Sequence, residues 1–336
     1  MRKVNGSSKK KQDRCWQPTA LLSATLPPAA EKRIVWANLH PPKGLGRAPI
    51  LVKIYSTDSP NKPKTVVVVP CFNEAQRLKP AAFASFLEDH DDVAILFVDD
   101  GSTDDTPLVM ERLRQQHPRQ VFTLRLGENV GKAEAVRRGL QIALRRKPTV
   151  VGYWDADLAT PLDAICQFCD VLEARPQVSL VMGSRVALLG RRIRRRGARH
   201  ILGRVFATAA SIVLRLPVYD TQCGAKLFRV TPKTAELFAP PFTARWVFDV
   251  EILARLSVKA KQSASATPVR EAVYEMPLDT WEDVEGSRLR PRDYFVATVD
   301  LASIYWRYFL RRAKPASVVT KSVEDSQGNF GRRVAA

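Results

Sequence analysis

The chain is predicted to fold as an α/β protein: a mostly parallel sheet with helices on both faces. Three observations carry this. From Thr65 onward, short apolar runs alternate with longer stretches of helical period. The runs are almost continuously apolar, as strands buried on both faces are. Several of them end in acidic or amide side chains, at the place where an open parallel sheet forms its ligand crevice.

The first strand is read at Val66 to Val69 and the next at Val93 to Val98, with a helix over about 77–88 between them. Strands at Val121 to Leu126, Val150 to Trp154 and Val178 to Met182 follow, separated by helices over 105–116, 131–146 and 161–174. Strand, helix and parallel strand in succession imply right-handed crossovers. Beyond the fifth strand the pattern changes. Arg191 to Arg199 holds six arginines among nine residues and runs into Leu202, Val205, Phe206, Ala209, Ile212, Val213 and Leu216 at helical spacing. A second apolar segment, Tyr294 to Leu310, is broken by Asp300 and Arg307 and closed by Arg311 and Arg312. Amphipathic helices with arginines and interfacial aromatics such as Tyr305, Trp306 and Tyr308 suit a membrane surface, and packing on the core is the plainer reading. Residues 1–62, rich in Lys, Pro and Ser, are expected to be a largely flexible extension, with Ile50 to Tyr55 able to add an edge strand. Residues 63–290 then form the α/β domain, 291–312 a C-terminal amphipathic helix and 313–336 a disordered tail.

A net charge of +19 predicts an anionic partner: nucleic acid, an acidic membrane surface or a phosphorylated substrate. Five cysteines in no scaffold spacing suit a reducing compartment. Cys166-Gln-Phe-Cys169 has no second Cys/His pair to complete a zinc site, so it reads as a helix face. No run reaches the ~18 to 20 apolar residues of a spanning helix. Ala20 to Leu26 is brief and is followed by Pro27-Pro28, unlike a signal peptide, which places the chain in the cytosol, free or on a membrane face.

The candidate chemistry lies at the strand ends. Val150 to Trp154 runs into Asp155-Ala156-Asp157, and side chains two apart on extended backbone point the same way. Such a pair can hold Mg²⁺ or Mn²⁺ together with a substrate diphosphate. Alone, Asp-X-Asp is an ordinary turn. Its neighbours raise it above that: Val66 to Val69 leads into Pro70-Cys71-Phe72-Asn73-Glu74, and Val93 to Val98 into Asp99-Asp100-Gly101-Ser102-Thr103-Asp104. Crowded carboxylates repel one another unless a cation or hydrogen-bond donors hold them. Glu128-Asn129-Val130-Gly131-Lys132 stands at a helix start, with Asn129 as expected N-cap and the free amides and Lys132 suited to a diphosphate. Acidic strand ends speak against a nucleic-acid partner, which the net charge alone would allow.

In this order and spacing, Pro70–Glu74, Val98–Asp104, Asn129–Lys132 and Asp155–Asp157 resemble the inverting family-2 glycosyltransferases of GT-A fold. Gly183-Ser184-Arg185, Asp220–Phe228, Arg245–Glu251, Trp281 and Gly286–Leu289 look like the dolichyl-phosphate β-glucosyltransferases. The resemblance covers about 65–312. It implies a nucleotide-sugar site made by Pro70, Asn73, Glu74, Asp100, Lys132 and Asp155, with Asp100 toward the uracil or ribose. It also implies a metal on Asp155 and Asp157, and a lipid phosphate gripped by Arg185 and Arg199. Asp157, Arg185 and Asp249 are the implied catalytic set, with Asp249 or Glu251 as base only if the acceptor is a hydroxyl. Ala133 stands where the family commonly has glycine and Ala225 where it usually has an aromatic residue. The N-terminal spanning helix usual in the glucosyl group is not visible. The expected reaction is metal-dependent, inverting transfer of glucose from UDP-glucose to dolichyl or other polyprenyl phosphate, on the cytosolic face of the endoplasmic reticulum or on a bacterial cytoplasmic membrane. The enzyme alternative is polyprenyl-phosphate mannosyl transfer from GDP-mannose. Ala159 stands where those relatives often carry glutamine.

Overall fold

The structure, a computed structural model, describes residues 33–35, 54–56, 63–194, 197–262, 267–282 and 291–311. Strands β1 (Arg33–Val35) and β2 (Ile54–Ser56) pair antiparallel as a sheet of their own. Ile54 and Tyr55 of the Ile50 to Tyr55 run therefore lie outside the main sheet, and residues 50–53 lie outside the described residues. The rest of 1–62, and 313–336, lie outside the described residues.

The five predicted strands are present as β3 (Thr65–Cys71), β4 (Val93–Asp99), β5 (Val121–Arg125), β6 (Val150–Trp154) and β7 (Leu180–Ser184). The helices between them are α1 (Pro80–Asp89), α2 (Thr106–Gln116), α3 (Lys132–Arg145) and α4 (Ala164–Ala174). Helix α1 begins three residues later than its periodicity suggests, because Pro80 has no N–H to give and belongs in a first turn. Then come β8 (Arg192–Arg194), α5 (Gly197–Leu214), β9 (Ala225–Arg229), α6 (Pro232–Phe238), α7 (Phe248–Gln262), α8 (Val269–Ala272), β10 (Val273–Pro277), β11 (Thr280–Glu282) and α9 (Pro291–Tyr305). Residues Trp306–Leu310 close the chain's described part with a π-helical turn, Arg311 N–H donating to the Trp306 carbonyl.

The main sheet has seven strands in the order β10-β7-β9-β6-β3-β4-β5. All neighbours are parallel except β9, which lies antiparallel between β7 and β6. Alternate residues of each strand enter opposite cores. Val66 and Val68 face α3, α5, α6, α7 and α9, whereas Val67 and Val69 face α1, α2 and α4. Burial on both faces is what the continuous apolar runs encode. The carboxyl ends of β6, β3 and β4 consequently stand side by side, and the acidic segments leave from them.

Candidate active site

The loop after β3 and the loop after β4 are zipped together. Asn73, with φ of +53°, donates its N–H to Ser102 Oγ at 3.0 Å, and its Oδ1 accepts from Thr103 N–H at 2.8 Å. Glu74 N–H reaches Thr106 Oγ1 at 2.7 Å, and the Glu74 carboxylate pairs with Arg77. Gly101 adopts φ of +72°, and a Cβ there would meet the backbone of Glu128 and Asn129. Asp99 is fully buried and accepts from Ser102 N–H at 2.9 Å. Pro70 lies in β3 itself, paired with Val98.

Asp100 is also buried, and its two oxygens accept from Val130 N–H at 2.8 Å and Gly131 N–H at 2.9 Å. Burial raises its pKa above the ordinary carboxylate value, and the two amides pull it partly back. The amides expected to be free for a diphosphate are thus held by Asp100. Asn129 is not the N-cap of α3. Gly131 holds that position, with φ of +91° and no side-chain cap, while Asp100 fixes the turn just before the helix through the Val130 and Gly131 N–H groups.

Lys132 opens α3 and sends its Nζ to Asp155 Oδ1 at 2.6 Å. Partial burial lowers the lysine pKa, but Asp155, Asp249 and Asp157 together outweigh it and leave it raised. Asp157 accepts from Ala159 N–H at 3.1 Å. Its carboxyl is raised by burial and then by neighbouring Asp155. The opposite wall is the segment from Asp220 to Gly224. Asp220 forms a two-pronged ion pair with Arg185, Nε to Oδ2 at 2.6 Å and Nη2 to Oδ1 at 2.8 Å. At the other end of the same segment, a Cβ on Gly224 would overlap the Asp155 carboxylate. Asp220–Gly224 therefore touches the arginine at one end and Asp155 at the other. Trp281 closes this wall, 5.3 Å from the Arg185 guanidinium carbon.

Beneath the segment, Lys226 on β9 is fully buried. Its Nζ donates to Thr221 O at 3.0 Å, Cys223 O at 2.6 Å and Asp249 Oδ1 at 2.6 Å, one acceptor for each of its three N–H groups. Tyr153 OH of β6 donates to the same Asp249 oxygen. Asp249 thus sits 5% exposed at the start of α7, under the crevice. Glu251 is fully buried and accepts from Thr243 and Ala244 N–H, Arg255 and Tyr308 OH, binding α7 to the π-helical turn.

The structure brings Asp155, Asp157, Lys132 and Arg185 close together, with Asp100 and Asp249 buried beside them. The Arg199 side chain and Gly286–Leu289 lie outside the described residues. Sequence reasoning quoted Asp220, Gly224 and Lys226 within a motif but assigned them no part. Glu275, which accepts from Tyr219 and Asp220 N–H, and Tyr153 were missed altogether. The one available signal was Lys226, a charge set between Ala225 and the apolar pair Leu227-Phe228.

The family model for glycosyl transferase family 2 matches residues 66–232. The dolichyl-phosphate β-glucosyltransferase of Drosophila melanogaster is 32% identical over 284 residues, covering 79% of this chain and 81% of that protein. The enzyme of the same name from Dictyostelium discoideum is 31% identical over 260 residues, covering 73% and 74%. Among solved structures, glucosyl-3-phosphoglycerate synthase from Mycobacterium tuberculosis in complex with Mn²⁺ and UDP-glucose superposes with a TM-score of 0.51 at 19% identity, over 73% of this chain and 79% of that one. That likeness concerns the fold, which is the GT-A arrangement expected from the sequence. Since relatives above 30% identity match most of their own length to a sheet whose acidic strand ends stand side by side, the chain belongs to glycosyl transferase family 2 and is a glycosyltransferase.

Proposed function

We propose that this glycosyltransferase moves glucose from UDP-glucose to dolichyl or another polyprenyl phosphate with inversion at the sugar carbon. The observation that carries the reading is the Asp220–Gly224 segment, which touches the half-buried Arg185 at one end and the Asp155 carboxylate at the other. An acidic pair suits a cation-bound diphosphate, and an arginine suits a phosphate acceptor. The names of the similar proteins from Drosophila and Dictyostelium support the same donor sugar and acceptor class.

No group of three or more His, Cys, Asp or Glu able to hold a metal occurs among the described residues. Two carboxylates nonetheless fit Mg²⁺ or Mn²⁺, which takes its remaining oxygen ligands from diphosphate and water. Burial and then the neighbouring Asp155 raise the Asp157 pKa, and a divalent cation would relieve the repulsion between the two carboxylates. Asp155 and Asp157 would hold such an ion, which would supply positive charge to the diphosphate leaving group. Lys132, now paired with Asp155, adds positive charge on the same side. Pro70, Asn73 and Glu74 line the nucleoside end, and Asp100 serves it by fixing the Val130–Gly131 turn. Arg185, with Arg199 as second candidate, orients the lipid phosphate for attack on the face opposite the leaving group. A phosphate monoester has a second pKa near ~6 and is largely dianionic at neutral pH, so it attacks without a base. Asp249, paired with Lys226, then acts by holding the loop in place.

A lipid acceptor implies a membrane surface. Leu188, Leu189, Leu202, Val205 and Ile212 are exposed along the segment that leads into and through α5, and Val296, Val299, Trp306 and Leu310 along α9 and the π-helical turn. Arg191 and Arg192 are exposed beside them. No helix among the described residues is long and apolar enough to cross a membrane. Attachment to an anionic leaflet, at the cytosolic face of the endoplasmic reticulum, fits this pattern.

Incubating the purified chain in detergent with dolichyl phosphate, Mn²⁺ and labelled UDP-glucose or GDP-mannose tests the reading. Label should reach lipid from UDP-glucose, and the product should show the β anomeric coupling by proton NMR. Transfer from GDP-mannose alone would replace the donor assignment, and transfer from neither would end the proposal.

A further inference from the structure

We infer that Asp220 is a positioning residue for the acceptor, presenting one edge of Arg185 to the incoming phosphate. The inference rests on the acceptor reading of Arg185 given above. Arginine carries five N–H donors in a rigid plane, arranged as a side-on fork at Nε and Nη2 and an end-on fork at Nη1 and Nη2. Asp220 occupies the side-on fork, with Nε to Oδ2 at 2.6 Å and Nη2 to Oδ1 at 2.8 Å. The end-on fork points away from Asp220, and its two parallel donors match two oxygens of a phosphate.

Asp220 is itself held from every side. Its Oδ2 also accepts Arg185 N–H at 3.1 Å and its Oδ1 accepts Gln222 N–H at 3.2 Å, which together with the fork supply four hydrogen bonds to one carboxylate. Glu275 on β10 fixes its backbone, accepting from Asp220 N–H at 2.8 Å and Tyr219 N–H at 2.8 Å. Trp281 lies against the guanidinium from β11. Both chain and side chain of Arg185 are therefore bound to one carboxylate, whose place is set by the neighbouring strand. Its freedom is removed before the acceptor arrives, which lowers the entropy lost on binding. A simple structural ion pair would support donor and acceptor sites alike. A positioning residue acts on the acceptor alone.

Steady-state kinetics with UDP-glucose and a short-chain polyprenyl phosphate separate these roles. Asp220→Asn keeps the shape but offers the arginine one acceptor oxygen in place of two. It should raise the acceptor KM about tenfold while the donor KM stays within about twofold. Arg185→Lys should raise the acceptor KM comparably, and the double variant should be no worse than either single one, as coupled residues require. Equal rises in both KM values, or additive effects in the double variant, overturn the inference. An unchanged acceptor KM in Arg185→Lys ends the acceptor reading itself. A raised value there, with Asp220→Asn unaffected, overturns only the role of Asp220. Should Asp220→Asn fail to fold, Glu275→Gln carries the test: a rise in acceptor KM alone supports the inference, and a parallel rise in both KM values, or a change in neither, removes it.

Discussion

Gly224 has no side chain because the Asp155 carboxylate fills the space where one would stand. Gly224→Ala must therefore displace the Asp155 carboxylate. Because displacement of a reacting group by about 1 Å can cost 10²-fold, transfer should fall by about one to two orders of magnitude with little loss of thermal stability. Asp157→Asn removes charge without changing shape and should lower kcat by about 10²-fold or more; near-normal turnover would end its metal role. The cysteines give a test of pH. Burial pushes the Cys223 thiol up to about 11, and Cys169 likewise to about 11. At pH 8 both lie about three units below their pKa, so only ~0.1% is thiolate. Native protein treated with iodoacetamide at that pH should show both unmodified by mass spectrometry, and full labelling only after denaturation. At this scale the acidic residues were legible, because carboxylates after apolar runs are conspicuous. Which of them stay accessible was not: Asp155 and Asp157 are half-buried, whereas Asp100 turns inward to two amides, and no linear pattern separates those outcomes.

Among the elements, β9 carries the most strain on sequence logic. It is a central strand, yet its middle holds Lys226, and it runs against both neighbours. The lysine is tolerated because Asp249 of α7 and two carbonyls of the Thr221–Cys223 turn surround its ammonium. Removing one partner of a buried ion pair leaves the other charge stranded, so Lys226→Met should reduce unfolding free energy by about 3–5 kcal/mol. Urea denaturation would measure it. Combining it with Asp249→Asn should cost less than the sum of the single changes, since the stranded carboxylate is then gone. A full additive loss would show that the pair does not act as a unit. The strands β3 to β7 were readable because burial on both faces forces continuous apolar runs. Strands β9 and β10 were not, since a charged residue and polar flanks interrupt the signal and only a partner three-dimensionally close restores it.

For the whole molecule, the proposed lipid acceptor makes the exposed apolar residues of α5 and α9 and the exposed arginines before α5 the face offered to a membrane. Val205 and Ile212 are 64% and 71% exposed, so Val205→Glu with Ile212→Glu should leave the fold intact. The double variant should bind anionic vesicles about tenfold more weakly by co-sedimentation, and wild-type binding should itself weaken from 0.1 M to 0.5 M salt, as screened charge attraction does. Equal binding by variant and wild type would remove this face from the membrane.

Local chemistry written along the chain determined the α/β class, the positions of strands β3 to β7 along it and the acidic segments that follow three of them. These features depend on the period of burial and on residue type, both of which are linear properties. Tertiary structure alone decided that Asp220–Gly224 bridges arginine and carboxylate, that Asp100 closes a turn, and that Lys226 is neutralised from a distant helix. Each depends on which side chain reaches which partner across the sheet, and such distances exist only once strands remote in sequence lie next to one another.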